Sequence, residues 1–343
     1  MERGMDRREF LKATATTGAL FLAAVLGDRV LPVYGAVNIP EAERVVITII
    51  TDNYCETTRP SYKIANRSGE YFYAEHGLSC HIETVVDGRS YSLLFDFGPS
   101  FPGLVKNIDL LKIDLDKLEA LALSHGHKDH FGGLVELLKA RKQKILKGIP
   151  LYVGEEAFDE RGVGKRSDDV RVVHRPPKKE DVEGLGFGKI VEIKDPTPIV
   201  PGAYLTGRIE KVTDYEQVEG RWVKRGGNFE RENFIGEQSV VLNLRGKGLV
   251  VLSGCAHVGI VNTVKHAQKI TGIRKVHGIM GGFHLTGAKE ERIRRTVADV
   301  KEMAPDYIIP MHCTGFETMA AFARELPNQF VLNTVGTKYI FTP

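Results

Sequence analysis

The chain has 343 residues, 42% hydrophobic and 27% charged, enough to bury a sizeable core and unlike a disordered chain. Lys+Arg 47 against Asp+Glu 44 leaves a net charge of +3, too balanced for an electrostatic nucleic-acid binder. No apolar run reaches the ~18 residues of a membrane span, and four scattered cysteines, none in a C-x-x-C pair, are too few for a disulfide-built scaffold, although an oxidising compartment permits one bridge.

Residues 1–35 do not read as part of the fold. Asp6-Arg7-Arg8-Glu9-Phe10-Leu11-Lys12 precedes an uncharged, mostly apolar run over residues 13–26, the order of basic start and short apolar core in an export signal. The segment resembles a twin-arginine signal, with cleavage expected near Gly35. That resemblance implies the twin-arginine export machinery as a partner, a periplasmic or other extracytoplasmic location, and passage of a chain already folded around its metal or cofactor.

Residues 44–51 (RVVITIIT) are a β-rich apolar run ending at the turn Asp52-Asn53. Residues 79–86 and 90–95 flank Asp87-Gly88, a two-residue hairpin signal, and the second strand ends in the acidic turn Phe95-Asp96-Phe97-Gly98. A short buried strand over 118–123 runs into a histidine cluster. Residues 131–144 predict a helix with Leu134, Leu137 and Leu138 on its apolar stripe. Between 155 and 238 charged, Gly and Pro residues crowd together, predicting short strands with long excursions that serve as a lid or insertion. Strands and helices then alternate: strands 239–244 and 249–253, a helix after Gly259, strand 276–280, a charged helix over 288–303, strand 307–311, a helix after Thr314 and a last strand near 339–341. Strands in both halves, each half with its own helices, predict helices covering a two-sheet core.

The strongest chemical signal is Ser124-His125-Gly126-His127-Lys128-Asp129-His130, four metal-capable side chains within six residues at a strand end. Imidazole nitrogens and a carboxylate suit zinc, manganese or iron. The alternation lets His125 and His127 converge on one ion, and entry into the next helix turns Asp129 and His130 toward a neighbouring one. Buried without a metal, such groups would each cost on the order of several kcal/mol in unpaired polar atoms.

This run resembles the H-x-H-x-D-H signature of the metallo-β-lactamase superfamily, and the resemblance extends over residues 44–343. It implies an α/β fold of the four-layer αββα sandwich type, with a dinuclear metal site on one edge. Further strings resemble one subfamily, named for a dihydropterin-methyl-ribofuranosylaminobenzene-phosphate synthase. They are Thr51-Asp52-Asn53, Glu75-His76-Gly77-Leu78-Ser79, the run Ser253-Gly254-Cys255-Ala256-His257-Val258-Gly259, Gly281-Gly282-Phe283-His284-Leu285 and Met311-His312-Cys313-Thr314-Gly315.

Carried over residue by residue, the resemblance implies that His125 and His127 hold the first ion, and that Asp129, His130 and His312 hold the second. The chain departs from the commoner pattern in two places. Leu205-Thr206-Gly207-Arg208 offers no histidine, and Cys255 and His257 stand where many members have a bridging aspartate. His257 is therefore expected as the third ligand of the first ion. His284 is expected as a catalytic or supporting residue, with a ligand role as its alternative. Cys255 is expected to be a small buried strand residue, with a thiolate ligand as its alternative. Asp96 is expected to orient the metal loop. Asp52 and Asn53 either border the pocket or form a plain turn, and Lys128 and Arg208 are anion contacts or solvated charges.

The function implied first is a metal-dependent hydrolase in which two divalent cations, zinc before manganese or iron, activate water against an ester, lactone, thioester or phosphoester. The substrate is expected to be a small anionic molecule, with Asp129 orienting the water and His284 protonating the leaving group. The alternatives are the subfamily's transferase chemistry with a diphosphate leaving group, which the export signal disfavours, and a metal-binding protein without turnover.

Overall fold

A computed structural model describes the antiparallel strand pair Leu22–Leu26 and Arg29–Val33, then residues 36–145, 148–217 and 221–343. The Arg7-Arg8 motif lies outside the described residues.

Runs rich in Val, Ile and Leu build two sheets that face each other. The first has eight strands in the order Ile190–Ile193, Leu151–Gly154, Leu118–Leu123, Arg89–Phe95, Ser79–Val86, Arg44–Thr51, Lys338–Phe341 and Ala65–Asn66. The second has six, in the order Thr197–Val200, Ala203–Leu205, Ser239–Leu244, Gly248–Ser253, Val276–Gly282 and Tyr307–Met311. The expected hairpin at Asp87-Gly88 pairs Val86 with Arg89, both turn residues having positive φ (50° and 71°), as a two-residue turn matched to strand twist requires.

Three apolar clusters define four layers. Ile47, Ile82, Phe95, Val240, Leu252 and Ile309 lie between the sheets. Helices Phe101–Leu111 and Leu134–Ala140 cover the outer face of the first sheet through Leu104, Ile108, Leu134 and Leu138. Helices Ile260–Thr271, Glu290–Glu302 and Phe316–Glu325 cover the second through Val264, Val297, Val300 and Phe322. The αββα sandwich is the fold.

Two local expectations change. The helix predicted over 131–144 splits into Lys128–Phe131 and Leu134–Ala140. The break falls at Gly132-Gly133, where a β-carbon would lie 2.1 Å from the Pro99 carbonyl oxygen and 2.6 Å from that of Phe97. Backbone contact with the acidic turn, not apolar periodicity, sets that boundary. Helix Phe101–Leu111 was not anticipated, because Pro102 in its first turn reads as a breaker although it is tolerated there.

Residues 155–238 divide their strands among three places. Ile190–Ile193 edges the first sheet, and Thr197–Val200 with Ala203–Leu205 edge the second. Arg171–His174, Arg161–Val163, Arg221–Arg225 and Asn228–Arg231 form a separate four-stranded antiparallel sheet.

Two phenylalanines of one helix give a direct test of this layering. Phe322 is fully buried against Phe283, whereas Phe316 is 77% exposed. Phe322→Ala is expected to cost about 3–5 kcal/mol in equilibrium denaturation, and Phe316→Ala to stay within about 0.5 kcal/mol of the wild type.

Candidate metal centre

Strand direction gathers the site. Arg89–Phe95 and Leu118–Leu123 run parallel in the first sheet, as do Gly248–Ser253, Val276–Gly282 and Tyr307–Met311 in the second. Their carboxyl ends meet on one edge of the sandwich, the place where parallel strands present ligand-binding loops. From those ends emerge Asp96, the loop Ser124–His130, Cys255 with His257, His284 and His312. Four of them or their neighbours have left-handed backbone: Asp96 (φ 60°), Ala256 (52°), His284 (46°) and His312 (52°). Such strain costs about 1–3 kcal/mol per residue and persists where surrounding structure enforces it.

Asp96 holds the loop. Its carboxylate accepts the Ser124 N–H at 2.7 Å and the Ser124 hydroxyl at 2.7 Å, and meets His130 Nδ1 at 2.6 Å, all buried. The backbone turn can come this close because residue 254 is glycine: a β-carbon there would lie 2.2 Å from Ser124 Oγ.

With Nδ1 engaged by Asp96, His130 directs Nε2 inward, 3.2 Å from His312 Nε2 and 3.2 Å from Cys255 Sγ. Asp129 Oδ2 lies 3.2 Å from His312 Nε2 and 3.7 Å from His130 Nε2. Asp129, His130, Cys255 and His312 thus form one donor set, with all donor atoms within 4.8 Å of one another. His125, Cys255 and His257 form a second, with His125 Nε2 and His257 Nε2 3.1 Å apart. His127 stands just outside it: its ring is 4.5 Å from that of His125 and 4.7 Å from that of His257, and its buried Nε2 has no hydrogen-bond partner.

These donors suit a divalent cation. Burial first, then neighbouring imidazoles and, at His127, Arg161, push the pKa values of His125, His127 and His257 well below the ordinary value, leaving neutral rings with lone pairs to give. Burial works against the Asp129 carboxylate, but His130 and His312 more than offset it and keep it ionised. Imidazole nitrogens, a carboxylate and a sulfur converging on shared buried space are the donor chemistry of zinc and its neighbours.

A surrounding shell orients the ligands. Asp52 accepts the His312 N–H at 2.8 Å and is itself held by Asn333, which is held by the Tyr339 hydroxyl. Asn53 donates to the His312 carbonyl oxygen at 3.0 Å. The Asp52-Asn53 turn therefore borders the centre and fixes its last histidine. Glu237 accepts the N–H groups of His257 and Val258 at 2.8 and 2.9 Å, and burial pushes its carboxyl up to about 7. Arg161, buried, pairs with Glu232 at 2.5 Å and also donates to the Gly126 carbonyl oxygen, tying the four-stranded sheet to the metal loop. Glu232 leaves its other oxygen unpartnered, 3.8 Å from His127 Nε2.

A cavity of about 380 Å³ opens above the donors, lined by His76, Lys128, His174, Arg221, His284 and Cys313 among others. Lys128, an exposed residue, lines it. Arg208 does not: it forms a two-pronged pair with Glu155 and is absent from the cavity wall. His284 lies in the wall, its ring 4.1 Å from that of His257 and its Nδ1 buried without a partner. Sequence reasoning did not assign His76, His174, Arg161, Arg221, Glu232 or Glu237. His76 reaches 3.8 Å from Asp129 Oδ2, and His174 stacks on His127 with centroids 4.4 Å apart.

Comparison with known proteins agrees with this geometry. A family model of the metallo-beta-lactamase superfamily matches residues 84–212. The 7,8-dihydropterin-6-methyl-4-(beta-D-ribofuranosyl)-aminobenzene-5'-phosphate synthase of Methanocaldococcus jannaschii is 31% identical over 300 residues, covering 85% of this chain and 95% of the relative. An uncharacterized protein of the same organism is 28% identical over 275 residues, covering 80% of this chain and 96% of its own length. The crystal structure of Tm1679, a metal-dependent hydrolase of the beta-lactamase superfamily, superposes with a TM-score of 0.68 at 27% identity, covering 87% of this chain and all of that one. The chain belongs to the metallo-β-lactamase superfamily. The fold implies binding of divalent metal, and the donor sets fit that requirement.

Elemental analysis tests the ligands. His127→Ala is expected to lower the metal-to-protein ratio, and a ratio equal to wild type would remove His127 from the ligand set. Asp52→Ala, which frees the His312 loop without deleting a donor, is expected to weaken metal affinity about 10–100-fold in competition with a chelator.

Proposed function

We propose that the protein is a hydrolase that holds two divalent cations, zinc before manganese or iron, and cleaves a small anionic ester, lactone, thioester or phosphoester. The observation that carries this reading is the pairing of two donor sets with a cationic cavity rim. Lys128 and Arg221 reach that cavity from two different elements, and neither has an acidic partner within ion-pair distance among the described residues.

When bound, the cations would supply Lewis acidity and make water nucleophilic near neutral pH. His125, His127 and His257 would hold one, and Asp129, His130 and His312 the other. Asp129, ionised and at the cavity wall, would accept a hydrogen bond from the attacking water and orient its lone pair. His284, whose ring lies in the same wall, would protonate the departing oxygen or sulfur. Lys128 and Arg221 position the substrate's anionic group and give it charge-assisted hydrogen bonds.

The relative from M. jannaschii is named a synthase, which favours as a second reading the transferase chemistry that the subfamily resemblance implies, with diphosphate as leaving group. A cavity of about 380 Å³, at the small end of ligand pockets, favours one small substrate with water over two ring-bearing co-substrates. We also propose, on the Arg7-Arg8 motif and the apolar run behind it, export by the twin-arginine route.

Assaying the metal-loaded protein on carboxyl esters and phosphoesters, and separately on a dihydropterin methyl diphosphate with an aminobenzoate riboside, discriminates the two chemistries. Hydrolysis that is abolished by chelation and restored by divalent metal is expected; alkyl transfer without hydrolysis would overturn the reading. Arg221→Ala is expected to raise KM for an anionic substrate about tenfold, the loss of one charge-assisted hydrogen bond, with kcat little changed. Arg7→Lys with Arg8→Lys is expected to retain the chain inside the cell, and unimpaired export of that variant would contradict the signal assignment.

A further inference from the structure

We propose that the Cys255 sulfur is the bridging ligand between the two cations, filling the place that a carboxylate takes in commoner relatives. The inference rests on the two-cation reading above.

Cys255 follows strand Gly248–Ser253 by two residues and is buried at the floor of the cavity. Its sulfur belongs both to the set formed with Asp129, His130 and His312 and to the set formed with His125 and His257. Among the described residues no other side chain is common to those two sets. The same sulfur also groups with His284 and Cys313, and as the one donor common to the two cation sets it lies between the positions the two cations would take.

The neighbouring carboxylates are committed elsewhere. Asp96 is taken by Ser124 and His130, Asp52 by the His312 N–H and Asn333, and Glu237 by the N–H groups of His257 and Val258. Glu232 is paired with Arg161 and lies on the His127 side only. Asp129 belongs to one set. Among the described residues no acidic oxygen is left to lie between the cations and screen their mutual repulsion, so among the side chains the task falls to sulfur.

A second sulfur stands beside it: Cys313 Sγ lies 3.2 Å from Cys255 Sγ. That approach depends on Gly282, where a β-carbon would sit 2.7 Å from Cys313 Sγ. Coordination releases the Cys255 thiol proton to solvent as the sulfur–metal bonds form, and no electrons are transferred. A soft bridging sulfur would tilt the centre toward zinc over manganese.

Cadmium-113 NMR on the full chain, reduced with a phosphine and loaded with cadmium to saturation, reads sulfur coordination ion by ion. The expected spectrum has two resonances, both shifted downfield of the range for nitrogen and oxygen ligands. Cys255→Ser should move both upfield, and Cys313→Ser should leave both downfield. One shifted resonance beside one unshifted would mean a terminal sulfur and overturn the bridge, as would downfield shifts that survive Cys255→Ser and vanish in Cys313→Ser. Two bound ions with neither shifted would sink the bridge while leaving the two-cation reading intact. A single ion at saturation would sink both. If Cys255→Ser does not fold, the wild-type and Cys313→Ser spectra still decide, because Cys55 and Cys80 belong to none of the donor sets.

Discussion

The hold of Asp96 on the loop after strand Leu118–Leu123 is the interaction on which the centre depends. One buried carboxylate accepts a backbone N–H and a hydroxyl and engages His130 Nδ1, which fixes the tautomer that turns Nε2 inward. Everything that follows, from the proximity of His130 to His312 and Cys255 to the entry angle of the following helix, starts from that orientation. The glycines at 132, 133 and 254 serve the same contact, since each lets backbone or side chain approach the acidic turn more closely than a β-carbon would permit.

The donors come from both sheets. His125, His127, Asp129 and His130 follow a strand of the first, whereas Cys255, His257, His284 and His312 follow strands of the second. Cations held between them would cross-link the two halves of the sandwich, so metal binding and folding stability are thermodynamically coupled. The four-stranded sheet adds a third source: through Arg161 and Glu232 it braces the metal loop, and through His174 and Arg221 it shapes the cavity rim.

Much of this was legible in the sequence, for identifiable reasons. The strands at 44–51, 118–123 and 307–311 are short apolar runs bounded by polar turns, and they occur where periodicity places them. The histidine cluster was legible because its four donors are adjacent in the chain. Cys255 was harder: a cysteine just past an apolar strand looks like packing, and its significance arises only when His125, His130 and His312 arrive from elsewhere. Arg161, Glu232 and Glu237 sit in a charged, Gly-rich stretch that resembles solvated loop, yet all three are buried and paired by the fold. Arg208 failed in the opposite direction, because sequence cannot show that Glu155 lies across from it.

The central claim is that this edge of the sandwich holds a pair of cations. Anomalous diffraction from crystals of protein purified without chelators, recorded on both sides of the zinc, iron and manganese absorption edges, addresses it most directly. The account predicts two anomalous peaks, one among His125, His127 and His257 and one among Asp129, His130 and His312. Crystals of fully active protein with no peak at either position would contradict it.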